Sequence, residues 1–300
     1  MVSDALDKLS DKLGRDFVVT AELEPPRGPD ASGLVRQAET VRAWVDAVNV
    51  TDAPMASLRL SAVVSAYRVQ QTGLEAIFHL TCRDRNVIAL QAELLGAANL
   101  GLNTVLTLTG DPPSRGDHPD AQGVYDLDLL GLLRTVRTLN EGRSHGKDLA
   151  SPTRFRAAAA ANPTAADMSV EASKVRAKLE AGASFFQTQP VFSADDVLRF
   201  HEALGGAPSV PVLYGVLPLR SAKMAERVGK WCRVPDALKV ALAEEGSAAG
   251  VRWARDLVRE LHDLRGEGVG GVHLYPLGKA ELVEAVVRDV VEPARVAEPA

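Results

Sequence analysis

The chain has 300 residues, 46% of them hydrophobic and 24% charged, an ordinary globular composition that is sufficient for one large core or two smaller ones. Its formal net charge of −5 provides no general basic field for a nucleic acid, and no run of about 18 apolar residues is present to span a membrane. Two cysteines and a highly charged beginning, MVSDALDKLSDKLGRD, indicate a reducing cytoplasm and no signal peptide.

The first predicted element, FVVTAEL at residues 17–23, is a strand with one polar face. A period of two separates an apolar set from a polar set, which are Val19, Ala21 and Leu23, and Thr20, Glu22 and Glu24. A carboxylate inside a barrel costs free energy unless it is paired, hydrated or kept neutral. We therefore interpret Glu22 as functional, whereas Glu24, beside two prolines, is either functional or a solvated residue at the rim.

Seven further strands follow, and helical patterns separate them. The strand candidates are 17–23, 47–51, 76–82, 104–110, 155–161, 184–189, 211–218 and 271–277, and the helical patterns are 33–46, 57–72, 86–100, 127–140, 170–182, 194–204, a region around 221–265, and 279–291. This alternation predicts an α/β fold, a single (β/α)8 TIM barrel over residues 1–300 with extra helices around 221–265. A doubly wound open sheet is the alternative, although prolines stand where its glycine-rich turn belongs.

Two predicted connections are long for a barrel. Residues 111–126 follow a strand and so lie on the catalytic face, whereas residues 141–153 follow a helix and lie on the opposite face. GEGVGG at 266–271 precedes a strand instead of opening a helix, so we interpret it as a turn and not as a phosphate loop.

Polar side chains mark the carboxyl ends of most of the predicted strands, where a TIM barrel carries its catalytic groups. Besides the two glutamates they are Thr51, Asp52, His79, Thr81, Thr109, Asp111, Asn162, Gln187, Gln189, His273 and Tyr275. An uncharged residue such as Gln187 or Thr81 has an alternative role, which is to satisfy backbone groups at a strand end.

Several kinds of chemistry lack their residues at these strand ends. No strand candidate carries a lysine, so a Schiff-base lyase has no nucleophile. His79 and Cys82 point to opposite faces of one strand, so we predict no metal site and interpret Cys82 as a core thiol. Carboxylates, amides and hydroxyls without a nucleophile or a metal suit proton transfer beside a bound organic group.

Eight short blocks at these strand ends resemble the methylenetetrahydrofolate reductase family in sequence and in order. They are AELEPPRG, VNVTDAP, HLTCRDRN, LTLTGDPP, AAAANP, KLEAGASFFQTQPVF, GVLPLRS and VHLYPLG, within residues 21–278. The resemblance implies a TIM barrel that reduces 5,10-methylene-tetrahydrofolate to 5-methyl-tetrahydrofolate with electrons from NAD(P)H, an activity of one-carbon metabolism and methionine biosynthesis.

The resemblance also implies roles for single residues. Glu22 matches the family's general acid, which helps protonate N10 so that the imidazolidine ring opens to a 5-iminium cation. Asp111 matches a catalytic aspartate that stabilises positive charge near the pterin, and Gln189 matches a glutamine that bonds the pterin edge. The other predicted substrate-binding residues are Gln187, Glu24, Lys279 and Tyr275, and the predicted cofactor-binding residues are Thr51, Asp52, His79, Thr81, Thr109, Asn162 and Lys178.

Family members usually hold a flavin, and this chain departs from their best-known branch at several flavin-contacting positions. Thr109 and Ala177 replace arginines, Asn162 replaces a tyrosine, and Ala166 replaces a histidine. Each lost charge-assisted contact is worth about 1.5 to 3 kcal/mol. We therefore expect direct hydride transfer from NADH, with bound FAD or FMN as the alternative.

A third hypothesis is a non-catalytic folate-binding partner subunit. Retention of Glu22, Asp111 and Gln189 together argues against it, because a binding module needs no proton donor. The sequence leaves open the choice between NADH and NADPH, the glutamate number of the preferred folate, and whether the chain forms a homo-oligomer.

Overall fold

The computed structural model describes residues 8–293, in which strands and helices alternate except at one short hairpin and in one run of three helices. The first and last seven residues of the predicted 1–300 domain lie outside that range. The strands are β1 (Val18–Leu23), β2 (Ala47–Val50), β3 (Glu75–Thr81), β4 (Thr104–Leu108), β5 (Arg143–Ser144), β6 (Lys147–Asp148), β7 (Arg156–Ala161), β8 (Phe185–Pro190), β9 (Val212–Val216) and β10 (Val269–Leu274). The helices are α1 (Lys8–Lys12), α2 (Ser32–Val41), α3 (Ala62–Gln70), α4 (Val87–Asn99), α5 (Leu129–Asn140), α6 (Met168–Ala181), α7 (Ala194–Leu204), α8 (Ala222–Val228), α9 (Asp236–Glu245), α10 (Ser247–Asp263) and α11 (Glu281–Val287).

Eight strands close into a barrel in the order β1-β10-β9-β8-β7-β4-β3-β2. Every neighbouring pair in it is parallel, with β1 pairing β2 on one side and β10 on the other. This closure confirms the predicted TIM barrel and excludes the open sheet. In such a barrel β2 and β8 lie opposite each other across the interior, which matters for the site described below.

The two faces of β1 divide as its sequence period predicts. Val19, Ala21 and Leu23 join the large core between the barrel and its outer helices. Val18 faces the interior, where it packs with Leu9 and side chains from other strands. Leu9 belongs to α1, an element that the sequence pattern does not predict, and its backbone N–H donates to Glu75 Oε2 at 2.9 Å. The amino-terminal end of the barrel is therefore filled by apolar side chains.

The extra helical region around 221–265 consists of α8, α9 and α10. Side chains of α10, among them Leu257, Val258 and Leu261, extend the large outer core. Helices α8 and α9 instead form a second core with Leu217 and Leu219, against which Tyr275 packs. This second core lies beyond the ends of β9 and β10, so it borders the carboxyl end of the barrel.

The structure differs from the sequence prediction at several elements, including a loop, a helix and a strand. The predicted loop at 141–153 contains a two-stranded antiparallel hairpin, β5 with β6. Helix α3 begins at Ala62, well after residue 57, because Ser61 caps it and accepts from the Val64 N–H at 3.5 Å. The last strand begins at Val269, because the turn of the glycine-rich segment ends at Gly268, whose φ is 95°. No helix of the described residues has the length and apolar character needed to cross a membrane.

Candidate active site at the barrel mouth

Glu22 lies on the interior face of β1, two residues beyond Thr20. Its side chain is half-buried, and no hydrogen-bond partner for its carboxylate occurs among the described residues. Burial, followed by the charge of Glu24, raises the pKa of Glu22 from 4.5 to about 7. The carboxyl group can therefore hold a proton near neutral pH and release it to a bound molecule.

Glu24 lies at the rim, where its side chain is 43% exposed. Its Oε2 is 3.4 Å from Nη2 of Arg59, a residue of the loop between β2 and α3. Glu24 is therefore an ionic neighbour of Glu22 and forms an ion pair with Arg59.

A hydrogen-bonded layer crosses the interior directly below Glu22. We call it the floor network; its members are Thr20, Asn49, His79, Gln187 and His273, all buried. Asn49 on β2 and Gln187 on β8 exchange two amide bonds, at 2.6 and 2.9 Å, and so join opposite walls of the barrel. Asn49 Nδ2 also lies 3.0 Å from His79 Nε2. Thr20 Oγ1 lies 2.9 Å from His273 Nδ1 and accepts from Gln187 Nε2 at 3.1 Å.

Both histidines of the floor network are neutral. Burial lowers the pKa of His79 to about 4 against the opposing charge of Asp52. Burial and the neighbouring His79 lower the pKa of His273 to about 3. Since Asn49 Nδ2 is a donor, His79 Nε2 accepts, and its proton is on Nδ1. The layer therefore places amides and neutral rings, and no positive charge, beneath the carboxyl group of Glu22.

Thr51 and Gln189 lie above the floor network, each two residues beyond a network member on β2 or β8. The Thr51 hydroxyl is buried and has no hydrogen-bond partner among residues 8–293. Gln189 is half-buried, and its side-chain amide has no partner among the described residues. A buried polar atom without a partner is uncommon in folded proteins. These two groups, with Glu22, are therefore available to a bound ligand.

Asp52 and Thr81 are bonded to each other and not to the open cavity. Asp52 Oδ2 accepts from the Thr81 N–H at 3.0 Å and from the Thr81 hydroxyl at 2.9 Å. Arg85 contributes two further bonds, at 2.8 and 3.2 Å. Burial would raise the pKa of Asp52, but Arg85 and Thr81 outweigh it and lower that pKa. The carboxylate of Asp52 thus fixes the ends of β2 and β3 relative to each other.

Asp111 follows β4 at the mouth, with its side chain 37% exposed and Oδ1 3.3 Å from Nη1 of Arg115. The preceding Gly110 has φ 86°, and a Cβ there would lie 3.0 Å from Cβ atoms of both Thr81 and Arg83. Only glycine fits this turn without strain, so the Gly-Asp pair directs Asp111 to the mouth. Thr109 beside it is exposed.

Asn162 and Lys178 are occupied by contacts within the chain. Asn162 Oδ1 accepts from the N–H and the hydroxyl of Thr164, at 3.1 and 3.2 Å. Lys178 Nζ donates to the Ala160 carbonyl at 2.6 Å. Burial, reinforced by Lys174, lowers the pKa of Lys178. Neither residue presents a free charge to the interior.

Tyr275 and Lys279 differ in their access to the mouth. The Tyr275 hydroxyl donates to the Thr188 carbonyl at 2.8 Å, and its ring lies 4.6 Å from that of His273. Burial, then the charge of Glu22, raises the pKa of Tyr275 far above its usual range. Lys279 is exposed, with Nζ 3.9 Å from Glu281 Oε1.

Glu22, Thr51 and Gln189 each follow a member of the floor network by two residues along the chain, and Asp111 and Glu24 lie at the rim. Cys82 lies in the outer core, as predicted, and the described residues contain no group of three His, Cys, Asp or Glu side chains that could hold a metal ion. Sequence reasoning missed Asn49, Arg59 and Arg85. The period of β2 could have identified Asn49, because it places this residue between Ala47 and Thr51 on the interior face.

The sequence comparisons with known proteins agree on one family. The sequence model described as methylenetetrahydrofolate reductase matches residues 7–291. The 5,10-methylenetetrahydrofolate reductase of Pectobacterium carotovorum is 25% identical over 302 residues, covering 94% of this chain and 93% of that protein. That of Salmonella typhimurium is 27% identical over 226 residues, covering 72% and 70%. Among solved structures, a Clostridium thermocellum protein that binds two copies of 5-methyl-5,6,7,8-tetrahydrofolic acid has a TM-score of 0.66 at 13% identity, covering 96% of this chain and 100% of that one.

Proposed function

The chain belongs to the methylenetetrahydrofolate reductase family, and from this premise we propose that it reduces 5,10-methylene-tetrahydrofolate to 5-methyl-tetrahydrofolate by hydride transfer directly from NADH, with Glu22 as the general acid. The observation that carries the proposal is the state of Glu22. It is an interior carboxyl group with no partner in the described chain, whose pKa is raised to about 7.

The chemistry requires one proton and one hydride. Glu22 donates its proton to N10 of the bound folate, the bond between N10 and the methylene carbon breaks, and the 5-iminium cation forms. Hydride from C4 of the nicotinamide then adds to the methylene carbon, which gives the methyl group and NAD⁺. Glu22 regains its proton from solvent through the open mouth, so atoms and charges balance over the cycle.

The remaining mouth residues suit a ligand with polar edges and a transient positive charge. Gln189 offers an unbonded amide to the pterin, and Asp111 offers a carboxylate near the reacting ring. The neutral floor network supports both functions, because a cation there would stabilise the ionised form of Glu22 and oppose the iminium. Gln187 contributes to the floor, where both ends of its amide are already bonded.

Direct transfer from NADH is favoured over a bound flavin by the residues that a flavin would contact. Thr51 fits a cofactor, because its buried hydroxyl lacks a partner. The charged contacts fit less well: Thr109 and Asn162 carry no charge, and Lys178 donates to the Ala160 carbonyl. We therefore assign no catalytic step to a flavin.

Two-substrate kinetics under anaerobic conditions test the hydride route. Direct transfer requires NADH and folate to be bound together with the reacting carbons about 3 to 3.5 Å apart, so initial-rate plots should give intersecting lines. Parallel lines, the pattern of a substituted-enzyme mechanism, together with flavin released on denaturation, would show that this route is wrong. No oxidation of NADH by methylene-tetrahydrofolate, in protein with or without added FAD, would reject the reductase itself.

A further inference from the structure

Arg59 is held at the barrel rim by bonds on both sides of its backbone. The preceding Leu58 N–H donates to Asp117 Oδ1 at 3.0 Å, and the following Leu60 N–H donates to the Pro26 carbonyl at 2.8 Å. Asp117 also pairs with Arg27 at 2.7 Å. The Arg59 backbone is thus fixed to the loops that follow both β1 and β4.

The loop that carries Arg59 has a strained beginning. Ala53, Met55 and Ala56 have φ values of 45°, 55° and 53°, a region that residues other than glycine rarely occupy. Such conformations are unfavourable and persist only where the surroundings impose them. The surrounding structure therefore imposes the conformation of this loop and fixes the position of Arg59 at the rim.

The Arg59 side chain is directed at Glu24. Its Nη2 lies 3.4 Å from Glu24 Oε2, its Nη1 donates to the Leu58 carbonyl at 3.0 Å, and the side chain is only 19% exposed. Because the Glu24 end of this ion pair is open to solvent at the rim, the pair contributes little to folding. What this pair controls is the location and charge of the Glu24 carboxylate, the ionic neighbour of Glu22.

We propose that Arg59 is a positioning residue for the reduction: by holding Glu24 at the rim and offsetting its charge, it keeps Glu22 able to release its proton. This inference rests on the proposed role of Glu22 as the general acid. Among the described residues, Glu22 faces the titratable groups of Glu24, just beyond its strand, and of Tyr275, on the neighbouring side of the barrel. The two histidines of the floor network lie below it and are neutral. Asn49, its register partner on β2, is uncharged.

The direction of each effect follows from the charges. Loss of the Glu24 carboxylate removes a negative neighbour, so Glu22 ionises at lower pH. Loss of the Arg59 guanidinium leaves Glu24 uncompensated, so Glu22 retains its proton to higher pH and donates it less readily. Without Glu24, the charge of Arg59 has no partner through which to act, so the two substitutions are not additive.

The test is the titration of the Glu22 carboxyl group in the ligand-free protein, followed by carbon-13 NMR of labelled glutamate and assigned with Glu22→Gln. Arg59→Gln should raise the midpoint by roughly 0.3 to 1 pH unit, Glu24→Gln should lower it by a similar amount, and the double variant should follow Glu24→Gln. Arg59→Lys, which keeps the charge, should restore most of the wild-type midpoint. Arg252→Gln, which breaks a similar Arg–Glu pair between α10 and Glu245 of α9 with N–O distances of 2.8 Å, should not move it.

A midpoint that stays unchanged in Arg59→Gln overturns the inference, whether or not the protein is active. A raised folate KM in Arg59→Gln with an unchanged Glu22 midpoint also overturns it, because Arg59 then binds substrate directly. A shifted midpoint in Arg59→Gln, with full turnover retained in Glu22→Gln, supports the coupling between the side chains but rejects Glu22 as the acid. The two claims therefore fail in different measurements.

Discussion

The same three strands carry two polar layers that differ in one respect. Thr20, Asn49 and Gln187 on β1, β2 and β8 are bonded to one another or to the histidines. Two residues further along, Glu22, Thr51 and Gln189 have no side-chain partner in the described chain. The residue types of the two layers are similar, and each layer lies inside the barrel. The lower layer is therefore bonded within the chain, whereas the polar groups of the upper layer are available for a ligand.

This contrast shows that residue type alone does not identify a functional group. A satisfied interior amide stabilises the barrel, because its desolvation is compensated by bonds. An interior polar group without a hydrogen bond destabilises the folded state, so the fold itself gives no reason for it. The following substitutions test whether the two layers differ as this reasoning demands.

The largest expected effect is that of Glu22→Gln in the upper layer. Turnover should fall by at least about 100-fold, the usual scale for a lost general acid. The fold should persist, because no hydrogen bond is removed. Turnover with saturating NADH and methylene-tetrahydrofolate measures this, and Glu284→Gln on the exposed face of α11 is the control. Near-normal turnover in Glu22→Gln would remove this residue from the mechanism.

Asn49→Leu in the lower layer should act on stability. It leaves His79 and the Gln187 amide without their partners, so the free energy of unfolding should fall by about 2 to 4 kcal/mol. Urea denaturation measures the change. Asn99→Leu, the same substitution at an exposed helix end, should stay within about 0.5 kcal/mol of wild type. Equal stability of the two variants would contradict the structural role of the lower layer.

Thr51→Val should weaken the binding of NADH without changing the stability of the fold. The lost hydroxyl has no partner, so stability should change by less than about 0.5 kcal/mol, while the KM for NADH rises about 3- to 10-fold. The matched change Thr107→Val removes a bond to the Ala158 carbonyl at 2.9 Å and should cost about 1 kcal/mol of stability. If Thr51→Val destabilises the protein as much as Thr107→Val does, the hydroxyl of Thr51 is structural.

Lys279→Ala has the smallest expected effect. Lys279 is a predicted substrate-binding residue; it is exposed, and its Nζ lies 3.9 Å from Glu281 Oε1. A remote contact acts equally on the ground and transition states, so the folate KM should rise about 3-fold with little change in kcat. Glu281→Ala serves as the comparison, since it frees Lys279 and should lower that KM or leave it unchanged. An unmoved KM in Lys279→Ala would make this lysine a solvated surface residue.

Much of the barrel could be predicted from the sequence, because strand periodicity is a local property. The period of two that divides Val19 from Glu22 also determines which residues enter the barrel. The packing of Leu9 into the amino-terminal end of the barrel could not be predicted in this way. Its burial depends on five or more strands closing around it. The hairpin at residues 143–148 was missed because its strands have two residues each.

The candidate site was predicted less completely than the fold. Strand ends pointed to Glu22, Thr51 and Gln189, but they also pointed to Asp52, which is bonded within the chain. The family resemblance pointed to Lys178, which is bonded within the chain as well. The sequence does not show which of these groups has a hydrogen-bond partner, because the partners are far apart along the chain. Arg59 had no local signal, because its importance comes from Glu24, a residue of another loop.

The pH dependence of kcat/KM for methylene-tetrahydrofolate tests the central claim most directly, because this parameter reports ionisations of the free enzyme. The pKa of Glu22 is about 7 in the free protein, and a general acid acts only while protonated. When kcat/KM is measured between about pH 6 and about pH 9, it should show an inflection near neutrality and fall tenfold per pH unit above it. The Glu22→Gln variant should be slow at every pH and should lack that inflection. The same inflection in Glu22→Gln at a near-wild-type rate would contradict the account.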